Sequence, residues 1–165
     1  MRINALTPSD PDAVTRLRRI RLAALADAPD AFGTTLAEAS CWPDERWVQQ
    51  LQNLQTFVAV HEDHDLGMVR GEPDHDDRTT LWLISLWVAP SARGIGVGDA
   101  LVQTLIAFAR DRGLRRVLLE VADRNSHAIA LYERHGFVAN GSRGALPPPR
   151  EHIQEHQWEL RLPPL

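Results

Sequence analysis

Apolar positions in the first part of the chain recur every three or four residues. Val14, Leu17, Ile20 and Ala24 fall on one side of a helix, and Ser9 with Asp12 three residues on, plus Pro11 in the first turn, predicts its opening near Ser9. Pro29 through Ala37 breaks this pattern. A second short helix is expected from Pro43 to Asn53, with Trp47, Val48 and Leu51 facing inward. The period then changes from helical to alternating. "FVAV" (57–60), "LGMVRG" (66–71) and "TTLWLISLWV" (79–88) predict strands separated by the acidic turns "HEDHD" and "EPDHDD". The 79–88 strand is apolar on both alternations, as a strand covered on both faces should be, so it belongs near the middle of a sheet.

"DALVQTLIAFARDRG" (99–113) places Leu101, Val102, Leu105, Ile106, Phe108 and Ala109 on a broad apolar helical face that Gly113 can end. A further strand, "RRVLLEV", a capped helix, "SHAIALYERHG", and a late strand, "IQEHQWEL", follow, with "ALPPPR" as a stiff loop. Strands alternating with helices imply an α+β (α/β) sheet covered on both sides.

Length and composition narrow this picture. A chain of 165 residues, 44% hydrophobic, supports one substantial core, so residues 1–165 are expected to form a single domain. The longest apolar run, "LWLISLWVA", falls short of the roughly 18–20 residues of a bilayer span, and the first 30 residues are dotted with arginine; a cytoplasmic protein without membrane partners is expected. The net charge of −4 argues against a basic nucleic-acid surface. All 18 basic residues are arginine. Cys41, the one cysteine, has no pairing partner and reads as a small packing residue. The histidines and acidic runs lie in predicted turns without a ligand spacing, so no metal is expected.

The stretch "WVAPSARGIGVGDALV" (87–102) carries the chemistry. Gly94, Gly96 and Gly98 stand at the mouth of a helix starting near Gly98, whose first-turn amides lack partners and sit at the positive end of the helix dipole. Bare backbone there lets an anion approach, and Arg93 adds a mobile fork of donors at the rim. A dinucleotide fingerprint would need a glycine at Asp99, and a P-loop would need lysine; neither is present. A tight strand-to-helix turn is the alternative reading of the glycines.

"VAPSARGIGVGDALV" resembles the acetyl-CoA loop of the GNAT superfamily of N-acetyltransferases, in which R/Q-x-x-G-x-G/A is met by Arg93, Gly96 and Gly98. "LLEVADRNSHAIALYERHGF" (118–137) resembles the family's next strand and helix, and "LEV" with the twelve-residue step to Tyr132 is similar to ribosomal-protein alanine N-acetyltransferases. Weaker likeness runs from Ile3 to Leu162. The resemblance implies the acyl-CoA N-acyltransferase fold, a mixed central sheet of about six to seven strands flanked by helices and splayed between the strands at 79–88 and 116–121. It also implies that the main chain of Arg93, Gly94, Ile95, Gly96, Val97 and Gly98, with Asp99, holds the cofactor pyrophosphate. Leu86, Trp87 and Val88 pair with the pantetheine arm, and Asn125 touches that arm or caps the helix beginning at Ser126, or does both.

Two residues are implied for the reaction itself. Glu120 projects from the face of its strand opposite Val117, Leu119 and Val121; it reads either as a general base whose pKa burial raises toward neutrality, or as a structural acid paired with Arg116 or Arg124. Tyr132 reads as general acid to the CoA thiolate or as an aromatic packing its helix onto the sheet. Trp42 and Trp47 line the acceptor side or anchor the second helix. The expected reaction transfers acetyl from acetyl-CoA to a primary amine of a small molecule or peptide N-terminus, by a monomer or homodimer; the alternative is a non-catalytic acyl-CoA-binding or sensing domain.

Overall fold

The computed structural model describes residues 1–164. Seven strands, β1 (Arg2–Leu6), β2 (Gln55–His61), β3 (His64–Pro73), β4 (Thr80–Val88), β5 (Arg116–Ala122), β6 (Val138–Ala145) and β7 (Gln154–Arg161), form one sheet in the order β1-β2-β3-β4-β5-β7-β6. Every neighbouring pair is antiparallel except β4 and β5, which α4 (Val97–Asp111) connects as a parallel crossover. The other helices are α1 (Ala13–Asp27), α2 (Leu36–Ser40), α3 (Asp44–Asn53) and α5 (Ser126–Arg134).

Strand alternation divides the core into two layers. Phe57, Ala59, Val69, Leu81 and Leu83 pack with Leu101, Leu105 and Ile106 of α4 on one face. Val58, Val60 and Met68 meet Leu17, Ile20 and Ala24 of α1 and Trp47 and Leu51 of α3 on the other. Among the described residues, no helix is long and apolar enough to cross a membrane.

The middle strand changes sides partway along. Between Arg70↔Ile84 and Met68↔Trp87, β4 advances three residues while β3 advances two, a bulge centred where Ser85 takes φ 56°. The extra residue inverts the alternation. Leu81 and Leu83 face the α4 layer before it, Leu86 and Val88 face that layer after it, and Trp87 joins the α1 layer. This inversion, together with burial on both faces, is why 79–88 reads as apolar on both alternations. The ladder between β4 and β5 holds only through Thr80↔Arg116, Leu81↔Val117 and Trp82↔Leu118, after which β5 follows β7 and the sheet parts. The expected splay is therefore present.

Several local expectations need correction. The first helix begins at Ala13, not near Ser9: the Thr7 amide donates to Asp10 Oδ2 (3.0 Å) and the Asp10 amide to the Thr7 carbonyl (3.0 Å), so a tight turn takes these residues. Pro29 to Ala37 is a break only in part, because Thr35 and Glu38 form a reciprocal capping box that starts α2. Val48 is only half-buried, whereas Trp47 and Leu51 are buried as expected. β1 and β6 were not anticipated: both are edge strands, β1 alternates only over the short run Arg2 to Ala5, and β6 is almost wholly exposed. Cys41 is exposed, not a packing residue.

Candidate active site

Gly96 sits at the N-cap of α4 with φ 86°, preceded by Gly94 with φ 76°. A Cβ added at either would meet no atom within 4 Å, and no side chain caps the helix. The first-turn amides therefore open onto a cleft of about 770 Å³, at the positive end of the helix dipole. Gly98 acts differently: its added Cβ would lie 3.2 Å from Leu131 Cδ2 and 3.7 Å from Val88 Cγ2, so its bareness lets α4 approach α5 and β4. Of the positions expected to hold the cofactor, all line this cleft except Ile95, whose side chain is 70% exposed.

The rim is more ordered than the sequence suggests. Arg93 is tethered, not a mobile fork: its Nε donates to the Val88 carbonyl (3.0 Å) and its Nη2 to Asp27. Asp27 also accepts from Trp87 Nε1 (2.9 Å), and that bond, with Arg93, holds its carboxyl below the usual range. The Asp99 carboxylate turns to α5, where it accepts from Arg134 Nη2 (3.2 Å) and lies 3.0 Å from His135 Nε2. Arg134 chiefly lowers its pKa. Asp99 can thus offer the cleft its amide while its side chain fastens the loop.

A second cleft of about 550 Å³ meets the first, and the two share Ala31, Leu86, Asn125 and Ala128. Asn125 does cap α5, its Oδ1 accepting from the Ala128 amide (3.2 Å), and it touches both clefts. Tyr132 lines the second cleft, 6% exposed, with its ring edge-on to Phe137 at 5.8 Å. Its hydroxyl bonds to no protein group among the described residues. Burial pushes the phenol pKa above its ordinary value, so it carries a proton at neutral pH.

Glu120 lines the same cleft but is exposed, so the burial expected of it is absent. Its carboxylate lies beside Gly144 of β6, 3.9 Å from the place of an added Cβ. The structural pairing fails too: Arg116 is taken by Asp77 (3.2 Å) and Glu159 (3.4 Å), and neither Arg116 nor Arg124 bonds to Glu120 among the described residues. The buried acid of this cleft is Glu155 on β7, 8% exposed, whose pKa is raised by burial first and by Glu120 second. Sequence reading missed it. A signal existed in "IQEHQWEL", where Glu155, Gln157 and Glu159 make one strand face wholly polar, but its neighbour β5 is known only from the fold.

Buried Arg70 was missed as well. It pins the bulge, donating from Nε (3.0 Å) and Nη2 (2.8 Å) to Ser85 Oγ and from Nη1 to Gln50 Oε1 (2.7 Å). These bonds hold a non-glycine residue at positive φ where β4 turns over. Arg150 closes the far wall by donating to the Phe32 and Gly33 carbonyls, each at 2.9 Å. Trp42 lines this cleft, half-buried, whereas Trp47 is fully buried beneath it with ring centroids 5.0 Å apart. Among the described residues, no group of three or more potential metal ligands comes together.

A sequence model of the acetyltransferase (GNAT) family matches residues 20–137, more than half the chain. The chain belongs to this GNAT family. It is 35% identical over 109 residues to streptothricin acetyltransferase of Streptomyces lavendulae, an alignment covering 66% of this chain and 58% of that protein. The chain spans about half the length of the curated relatives it matches. A GNAT-family acetyltransferase from Streptococcus pneumoniae superposes with a TM-score of 0.81 over 98% of this chain and 99% of that one, at 22% identity. Ribosomal-protein-alanine N-acetyltransferase from Brucella melitensis superposes at 0.77 over 98% of this chain and 100% of that one, at 24% identity. At these identities the structures share the GNAT fold.

Proposed function

We propose that this chain transfers the acetyl group of acetyl-CoA to a primary amine by direct attack in a ternary complex. The observation that carries this reading is the meeting of two clefts where β4 and β5 part. One offers backbone donors suited to a diphosphate, the other acids and a phenol suited to an amine and a thiolate. When bound, acetyl-CoA supplies the acetyl group as a thioester. The fit rests on Gly94 and Gly96, whose missing side chains leave the amides of α4 open.

The main chain of residues 93–98 and the Asp99 amide hold the diphosphate. The free edge of β4 over Leu86, Trp87 and Val88 receives the amide-bearing arm as an added strand, with Asn125 beside it. A main-chain donor near the bulge stabilises the thioester oxygen as charge grows on it, an effect worth about 3 kcal/mol in preorganised sites. Exposed Glu120 attracts and orients the amine, and Glu155, with its raised pKa, takes the proton the amine sheds. A C–N bond forms and the C–S bond breaks; the sulfur leaves with the electron pair and Tyr132 faces it. Because burial raises the phenol pKa, Tyr132 keeps its proton and stabilises the thiolate by a hydrogen bond, and the proton shed by the amine reaches the thiolate by way of Glu155 and solvent as CoA leaves. The products are the N-acetylated amine and free CoA.

The chain acts as one catalytic domain, a reading supported by one sheet running from Arg2 to Arg161. Thiol release from acetyl-CoA across a panel of amines tests the reading. Amine-dependent release supports it. Acetyl-CoA binding without release to any amine leaves a sensing domain instead.

A further inference from the structure

The acceptor cleft holds charge that the acetyl-transfer steps above do not use. α1 carries Arg21 on its buried stripe, one turn from both Leu17 and Leu25, at 4% exposure and with its guanidinium 4.7 Å from the centroid of the Phe32 ring. Five buried side-chain nitrogen or oxygen atoms lack a partner among the described residues; two are Nε and Nη1 of Arg21, and no other charged group contributes. Arg70, 3% exposed, lines the same cleft and bonds only to the neutral groups of Ser85 and Gln50. Glu72 also lines the cleft but is exposed and bonds to neither arginine among the described residues. Two buried cations therefore share one corner without a bonded counter-ion. Burial lowers Arg21 to about 10; burial and then the charge of Arg21 lower Arg70 to about 9, so both stay cationic at neutral pH. A guanidinium fork in such a place is built to take an oxyanion.

The opposite end is acidic. Arg70 of β3 pairs with Ile84 of β4, and Glu120 lies two residues past Leu118, the partner of Trp82. Arg70 and Glu120 thus flank β4 in one row, roughly 10 Å apart between Cα atoms at ordinary strand spacing and more where the sheet splays. Glu155 stands beside Glu120 on the next strand. Resting on the acetyl-transfer reading, we infer that the acceptor is a small primary amine that also carries a carboxylate, with the carboxylate seated on Arg21 and Arg70 and the amino group facing Glu120 and Glu155. A purely polycationic acceptor would meet two buried positive charges at the cleft floor. The carboxylate enters no bond-making step; it anchors the far end of the molecule.

Matched acceptors test this. Glycine, 4-aminobutyrate and 6-aminohexanoate are compared with their carboxamides in wild type and in Arg21→Met, following thiol release. In wild type, at least one acid should exceed its amide about tenfold in kcat/KM, the scale of one charge-assisted hydrogen bond. Arg21→Met should bring that ratio near one, the loss falling on KM for the acids. Amides used as well as the acids in wild type, or a ratio unchanged in Arg21→Met, would overturn the inference. Melting temperature in the presence of the same compounds reads the corner without turnover: the acids should raise it in wild type and not in Arg21→Met. If no amine is acetylated but this shift is present, the transfer reading falls and the carboxylate corner stands; if the shift is absent too, both fall.

Discussion

The two clefts are made of different materials. The cofactor side is largely one run of chain, residues 86–99, and what it presents is backbone: three glycines, an uncapped helix end and the free edge of a strand. The acceptor side gathers side chains from α1, α3, β3, β5 and β7, and what it presents is charge, with Arg21 and Arg70 at one end and Glu120 and Glu155 at the other. A site made of backbone needs particular conformations and tolerates many side chains; a site made of side chains needs particular residues and tolerates many sequences around them. Substitutions on the two sides should therefore fail in different ways.

The largest effect is expected on the acceptor side. Glu155→Gln should lower kcat/KM about 10²- to 10³-fold and remove the acidic limb of its pH profile, with acetyl-CoA affinity retained. Glu120→Gln should instead raise KM for the amine and leave that limb in place; the reverse pattern in stopped-flow thiol release would return the base role to Glu120. The same Glu155→Gln variant has a stability signature. A carboxyl whose pKa is raised in the folded state above the ordinary 4.5 stabilises the fold while protonated, and that contribution is lost as pH rises through the window above 4.5. Its amide replacement should therefore melt a few degrees higher at pH 8, with the gain fading toward pH 4.

Tyr132→Phe comes next, at about 10²-fold in kcat with calorimetric acetyl-CoA affinity nearly unchanged. A variant that binds weakly but turns over normally once saturated would contradict the role given to the phenol. On the cofactor side, Asp27→Asn weakens the anchor of Arg93 and Trp87 and should reduce acetyl-CoA affinity only several-fold, because the backbone donors remain. The smallest effect is expected outside both clefts: Cys41→Ser, at an exposed position, should change stability by no more than about 0.5 kcal/mol in urea titration.

How much of this was legible in the chain follows the same divide. The glycine loop, Asn125 and Tyr132 stand in two contiguous motifs; the loop lines one cleft, Tyr132 the cleft that meets it, and Asn125 both. The central position of β4 was legible because 79–88 is apolar on both alternations, whereas the splay was implied only by the family resemblance. Arg21 and Arg70 left traces, since each interrupts an apolar periodicity: Arg21 on the stripe with Leu17 and Leu25, Arg70 on the face with Met68. Neither trace says that the two arginines meet, because their approach depends on how α1 packs across β3. Glu120 was assigned burial from its strand, yet the parting of β4 and β5 leaves it open, and the property expected of it falls to Glu155 across the β5–β7 pairing. Edge strand β6 left no alternation to read because an edge with little buried surface imposes none, and the alternation of β1 is only four residues long.

The central claim is that open backbone at the start of α4 holds the diphosphate of CoA. Calorimetric titration of acetyl-CoA into wild type and Gly96→Val, with circular dichroism to verify folding, tests it most directly. A valine there meets both an unfavourable φ of 86° and the space the ligand needs. The account predicts one equivalent bound by wild type and affinity at least about tenfold weaker in a folded variant; no binding to folded wild type, or equal affinity in the two proteins, would contradict it.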